Sequence, residues 1–126
     1  MIFADEGSLA ALCEWAEGLT LRLFTNEVTP TRADKADRYV EAKEMGYKPV
    51  PLADRPRKPL VGAVEYAASF HFAGELVVYG YYLTRRDGKL AAAHRWTEAE
   101  GGAVATRNRL TMEVLLRLAW TARTKT

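Results

Sequence analysis

Very little in this sequence is equipped for chemistry. Cysteine occurs once, at Cys13, which excludes an internal disulfide framework. Histidine occurs twice, at His71 and His94, and no cysteine or carboxylate stands at metal-ligand spacing from either. Each histidine therefore reads as a packed or edge residue. No apolar run approaches the 18 residues of a membrane-spanning helix, which leaves no membrane partner to expect. No signal peptide is readable either, because Met1 to Phe3 runs straight into Asp5 and Glu6, so the expectation is assembly in a cytosol. Gly101-Gly102 lacks the following Lys-Ser/Thr of a phosphate cradle. The carboxylate pairs Asp34 with Asp37 and Glu98 with Glu100 sit in polar stretches where solvation explains them. Cys13 falls on the apolar stripe of a predicted helix, without the base that a nucleophile needs. No catalytic, cofactor-binding or metal-binding residue can be nominated.

Charge of one sign is also in short supply. A net charge of +2 over 126 residues makes no case for a specific nucleic-acid partner. Its distribution is uneven, however. Residues 1–18 carry Asp5, Glu6, Glu14 and Glu17 with no base, giving −4. Residues 101–126 carry Arg107, Arg109, Arg117, Arg123 and Lys125 against Glu113, giving +4. Such opposed ends can pair within one chain or between copies, although attraction between exposed charges is weak and screened.

What the chain does have is β-forming residues, at 48% hydrophobic and 10% aromatic. The richest stretch is Glu75 to Trp96, two such runs about Asp87-Gly88, a strong hairpin signal. A two-residue turn there pairs Arg86 with Lys89, Leu83 with Ala92, Tyr81 with His94 and Tyr79 with Trp96. One face then holds Val77, Tyr79, Tyr81, Leu83, Leu90, Ala92, His94 and Trp96, and is assigned to the core. The other holds Val78, Gly80, Tyr82, Thr84, Ala91, Ala93 and Arg95. A strand apolar on both sides lies in a sandwich or is covered by a neighbouring subunit. Gly80 opposite Arg95 signals a bulge or the close approach of another chain.

The remaining elements follow in order. Residues 8–17 form a short helix, with Ser8 as N-cap, Leu9, Leu12, Cys13 and Ala16 along one stripe, and Gly18 past its end. Whether it docks on its own domain or on a neighbour stays open. Leu19 to Thr25 alternates as a strand with one buried face. Thr31 to Lys43 reads as a turn or short helix that Thr31 caps. Lys48 to Pro59 contains four prolines and admits at most a short edge strand near Lys48 to Leu52. Its basic cluster, Arg55, Arg57 and Lys58, reads as a solvated guard on a sheet edge. Val61 to Phe72 resumes the period of two, with Val64, Tyr66, Ala68, Phe70 and Phe72 on one face. Thr97 to Asn108 is a loop. Leu110 to Thr121 alternates as a long strand, with a helix as the competing assignment, and residues 123–126 are a frayed tail. The sum is one domain: a helical arm over residues 1–18, then β structure over residues 19–122. The class is mainly β, an antiparallel sandwich or jelly-roll-like barrel with a short N-terminal helix. The aromatics Tyr66, Phe70, Phe72, Tyr79, Tyr81, Tyr82 and Trp96 serve packing, because a base-stacking platform needs a basic groove and these strands lack one.

Several of these pieces together resemble a known group. Leu21-Arg22-Leu23-Phe24-Thr25-Asn26-Glu27-Val28-Thr29-Pro30-Thr31 is followed by Asp34, Gly46-Tyr47, Val78-Tyr79-Gly80-Tyr81-Tyr82-Leu83-Thr84 and Ala93 to Trp96. In this order and spacing, over about residues 19–97, they resemble small structural proteins of tailed bacteriophages. The chain departs from that pattern in its acidic first 18 residues, in the proline-rich basic stretch, and in Asn108-Arg109 before the last strand. The resemblance implies a non-enzymatic virion component, foremost a capsid decoration protein. Its implied partners are the major capsid protein and further copies of itself, with a trimer favoured. A tail or head-fibre protein reading host glycan through exposed aromatics such as Tyr82 is the alternative.

Overall fold

The computed structural model describes residues 2–4, 9–43, 46–61, 63–72, 76–100, 102–105 and 110–120. Among the described residues, ten strands and one helix run in the order β1 (Ile2–Ala4), α1 (Leu9–Glu17), β2 (Thr20–Phe24), β3 (Val50–Pro51), β4 (Arg57–Leu60), β5 (Ala63–Phe72), β6 (Val77–Val78), β7 (Gly80–Thr84), β8 (Leu90–Arg95), β9 (Val104–Ala105) and β10 (Leu110–Trp120). Single turns of 3-10 helix occupy Ala36–Arg38, Leu52–Asp54 and Glu98–Glu100. Two four-stranded sheets result, β1-β10-β5-β4 and β3-β2-β7-β8, with β6 and β9 paired on their own. All pairings are antiparallel except β1 with β10, and the sheets do not close into a barrel among the described residues.

The longest pairing follows directly from the period of two. Residues 110–120 form a strand, not the competing helix, and β10 runs along β5 from Leu110 opposite Phe72 to Ala119 opposite Ala63. From Val64 to Phe72 and from Met112 to Leu118 every second residue is then apolar and inward. Val64, Tyr66, Ala68, Phe70 and Phe72 are buried, as are Met112, Val114, Leu116 and Leu118. Each large apolar side chain withdrawn this way stabilises the fold by about 1.5–3 kcal/mol. Leu19, Leu21, Leu23, Tyr81 and Leu83 meet them from the other sheet in one continuous core. The helix docks on its own chain: Leu12, Cys13 and Ala16 are buried in that core, and α1 packs on β10, β5 and the Leu52–Asp54 turn. Ser8, assigned above as its cap, lies outside the described residues, as do Asn108-Arg109 and residues 121–126.

Four expectations need correction. The proline-rich stretch forms two edge strands, β3 and β4, not one, because Pro51 and Pro59 sit at sheet edges where a missing N–H costs no ladder bond. The stretch from Thr97 on, expected as loop, holds a 3-10 turn at Glu98–Glu100 and the short strand β9, because Glu100 turns back on Thr97 N–H and Val104 pairs with Val78, whereas residues 31–43 hold the expected turn and short helix at Ala36–Arg38. The hairpin loop has three residues, not two. Arg85 N–H donates to Lys89 O at 2.8 Å and Gly88 takes φ +84°, a left-handed position suited to glycine. Thr84 pairs with Leu90 and Leu83 with Ala92, so a bulge at Ala91 restores the register in which Tyr81 faces His94.

The fourth correction concerns the face of β7. Tyr79 N–H donates to Phe24 O at 3.0 Å although Gly80 is the register partner of Phe24, so two residues on this strand oppose one. The alternation slips by one residue at that point. Val78 consequently enters the core and Val77 is 40% exposed, the reverse of the assigned phase. Gly80 is required by its surroundings. A Cβ there would lie 2.0 Å from His94 O and 2.9 Å from Arg95 Cα, so the close approach is by the chain's own β8.

Candidate functional site

Both faces of β7 are buried, and the outer one is covered from within. Tyr82 and Thr84, on the face opposite the core, are each 4% exposed. Tyr82 stacks on Tyr39 with ring centroids 5.2 Å apart, and Phe24 meets Tyr39 edge-on at 5.0 Å. Tyr39 belongs to the segment 25–43, which lies across β2 and β7 as a lid of irregular backbone. Polar side chains hold it there. Asn26 donates to Arg38 O at 2.8 Å and accepts from Val40 N–H at 2.9 Å. The Asp34 carboxylate takes the Thr31 hydroxyl at 2.6 Å, Thr31 N–H at 2.9 Å and the Tyr39 hydroxyl at 2.5 Å, and it pairs with Arg38. The hydrogen bonds from Thr31, then Tyr39, hold Asp34 well below the usual carboxylate range. Arg22 reaches Glu41 at 2.9 Å and Thr84 at 3.0 Å, while the Tyr47 hydroxyl donates to Glu41 at 2.8 Å and accepts Leu23 N–H at 3.1 Å. Burial, first of all, pushes Tyr82 up to about 12 and Tyr47 well above its ordinary range.

The nearest approach to a chemical site lies at the far end of β8. His94 Nε2 is 2.9 Å and 3.0 Å from the two carboxylate oxygens of Glu100. Glu100 also accepts Thr97 N–H and the Thr97 hydroxyl, each at 3.0 Å. The Thr97 backbone bond, followed by His94, lowers Glu100 to about 2, so it is ionised at neutral pH. The imidazole rests over the Tyr81 ring at 5.5 Å, and Trp96 meets Tyr81 edge-on at 6.4 Å. A cavity of about 620 Å³ beside this pair is lined by Thr29, Pro30, Trp96 and Glu98 among others. Orientation of the imidazole is present, but among the described residues no free nucleophile accompanies it: the Thr97 hydroxyl is spent on Glu100, and Cys13 is buried in the core. The sequence reading places Glu100 in a solvated loop. Its pairing was legible in Thr97-x-x-Glu100, the spacing by which a carboxylate returns to the N–H at the start of a helical turn.

No protein-family model, curated protein or solved structure matches the chain.

The other candidates are dispersed. His71 accompanies Thr111 at 3.1 Å on the outer face of the β5–β10 pair. Asp34 and Asp37 are not brought together on a substrate; Asp34 is consumed by the lid and Asp37 is exposed. The basic cluster is largely engaged within the chain, Arg55 donating to Ala67 O at 2.7 Å and Arg57 pairing with Glu17 at 3.2 Å. The opposed terminal charges are not paired with each other where described, since Arg117 holds Glu65 at 2.7 Å. Tyr82, the residue offered for glycan contact, is enclosed, so that surface loses its named aromatic. Among the described residues no three His, Cys, Asp or Glu side chains converge as metal ligands, and no helix is long and apolar enough to cross a membrane.

Proposed function

We propose that this chain is a non-enzymatic virion structural protein of a tailed bacteriophage, a capsid decoration protein that binds the coat lattice as an oligomer and stabilises it. The two sheets are read as a jelly-roll-like sandwich serving as its rigid body. One observation carries the reading. The residues of the phage-like pattern fall together on the β2–β7–β8 sheet and its lid, and their contacts there are structural. Leu21, Leu23 and Leu83 fill the core, Phe24 and Tyr82 hold the lid, Asn26 and Asp34 bind its backbone, Tyr47 spans the two, and Gly80 admits β8. A pattern spent on holding a sheet belongs to a scaffold. It places no reactive group, in keeping with a role exercised by surface contact. Neighbouring copies are not needed to bury β7, because residues 25–43 already do so. The association with a shell therefore rests on the pattern and not on an unfilled face. The deciding experiment is sedimentation of the purified protein with coat-protein shells, together with its detection in purified particles. Stoichiometric co-sedimentation and shells that survive higher temperature are expected. Absence from particles with no binding to shells overturns the proposal.

A further inference from the structure

Four strands end the two sheets, and three of them are protected against further pairing. β1 has three residues, β3 has two including Pro51, and β4 carries Lys58 and Pro59. Short length, proline and lysine are the usual means of blunting an edge. β8 has none of them: six residues, Leu90–Arg95, with three consecutive alanines at its centre. Its one charge, Arg95, is drawn aside, bonded to Glu27 at 3.1 Å and lying over the Tyr79 ring at 5.5 Å. Beside the part of β5 that overhangs its neighbour, Arg55 donates to Ala67 O, and beside that of β10 Trp96, Glu100 and Val104 share a cavity with Met112, Val114 and Leu115.

The phase of the β7–β8 ladder tells which backbone groups of β8 face outward. Trp96 N–H donates to Tyr79 O at 3.1 Å while Gly80 is the partner of Arg95. In an antiparallel ladder this turns N–H and C=O of Ala92, His94 and Trp96 toward β7, and those of Ala93 and Arg95 away from it. Among the described residues, no partner receives the outward groups of Ala93 or Arg95. Beside this edge lie two cavities, of about 620 and 460 Å³, that Pro30 and its neighbours line together with Ala93.

We infer that β8 pairs antiparallel with β8 of a second copy, about a two-fold axis at His94, joining the two β3-β2-β7-β8 sheets into one of eight strands. The occupant is a second copy because the edge answers itself. Its two outward residues are two positions apart, so Ala93 of one copy opposes Arg95 of the other on both sides of the axis. Four backbone hydrogen bonds form in that register. Each arginine faces an alanine instead of another arginine, whereas shifting the axis to residue 95 would oppose the two guanidinium groups. The bulge at Ala91 lies beyond the paired residues and leaves them regular.

Ala93→Pro removes an outward N–H that no intrachain ladder uses, so it should leave the fold intact and weaken dimerisation about tenfold or more. Sedimentation equilibrium of the full chain, with far-UV circular dichroism as the check on folding, reads both. A concentration-dependent dimer that Ala93→Pro converts to a folded monomer is expected. If that variant fails to fold, amide exchange of the unaltered protein decides: Ala93 and Arg95 should become protected as concentration rises, while Ala92 and His94 are protected throughout. A monomer at every concentration, a trimer, or a dimer whose Ala93 and Arg95 amides exchange freely overturns the inference. The inference is separable from the virion reading, since a dimer that never joins a particle overturns only that reading.

Discussion

The two sheets solve the same burial problem in different ways. In β1-β10-β5-β4 one face is dry and the other meets solvent: Leu116 is fully buried while Leu115, its neighbour in sequence, is 62% exposed. The sheet β3-β2-β7-β8 has two dry faces at its centre, one against the first sheet and one beneath residues 25–43. The first arrangement needs only alternation. The second needs a lid with little regular structure, which satisfies its backbone partly through side chains, beside backbone bonds such as Thr25 N–H to Val40 O. That accounts for the unequal distribution of polar contacts. Asn26, Asp34, Glu41 and Tyr47 are concentrated on the lidded sheet, whereas the outer face of the other carries solvent-facing pairs such as Arg117 with Glu65.

Substitutions in the lidded sheet should therefore cost most. Gly80→Ala drives a methyl into His94 O and Arg95 Cα, both backbone atoms, and is expected to cost about 4 kcal/mol or more in urea unfolding, or to abolish folding. Phe24→Ala removes a fully buried ring from between sheet and lid, at about 3–5 kcal/mol. Limited proteolysis should then cut residues 25–43 before it cuts β5 or β10. Were β5 or β10 cut first, the distinction between the sheets would fail.

Acid should loosen the lid before the alternating sheet. The folded-state pKa of Asp34 is depressed, so its stabilisation is full above the ordinary value of 3.8 and is lost as pH falls below it. Asp34→Asn should accordingly lower the melting temperature at neutral pH and flatten its decline on the acid side. Glu100 obeys the same sign: its contribution is present above 4.5 and fades as pH approaches about 2. Its carboxylate is 45% exposed, so Glu100→Gln should show a smaller effect than Asp34→Asn. Leu115→Ser on the open face should change stability by no more than about 0.5 kcal/mol in the same urea assay. A larger loss would show that this face is covered in solution.

Much of the candidate site was beyond sequence reading for a definite reason. His94 and Glu100 are six residues apart across a strand end and a turn, and only the three-residue spacing from Thr97 marks where the carboxylate returns. Asp34 resembled a solvated loop acid because the groups that surround it, Thr31, Arg38 and Tyr39, are not apolar and leave no periodic trace. The enclosure of Tyr82 was hidden in the same way, since its cover comes from a segment with little regular structure.

Local periodicity by itself determined the strands β2, β5 and β10 and the helix α1 with its buried Leu12, Cys13 and Ala16. These outcomes depend on residues close in sequence whose period matches the backbone's. Only the tertiary structure decided the slip at Tyr79, the bulge at Ala91, the source of cover over Tyr82 and the unprotected edge of β8. Each of those depends on which distant backbone comes near, and a one-residue shift in register, invisible to composition, exchanges core for surface.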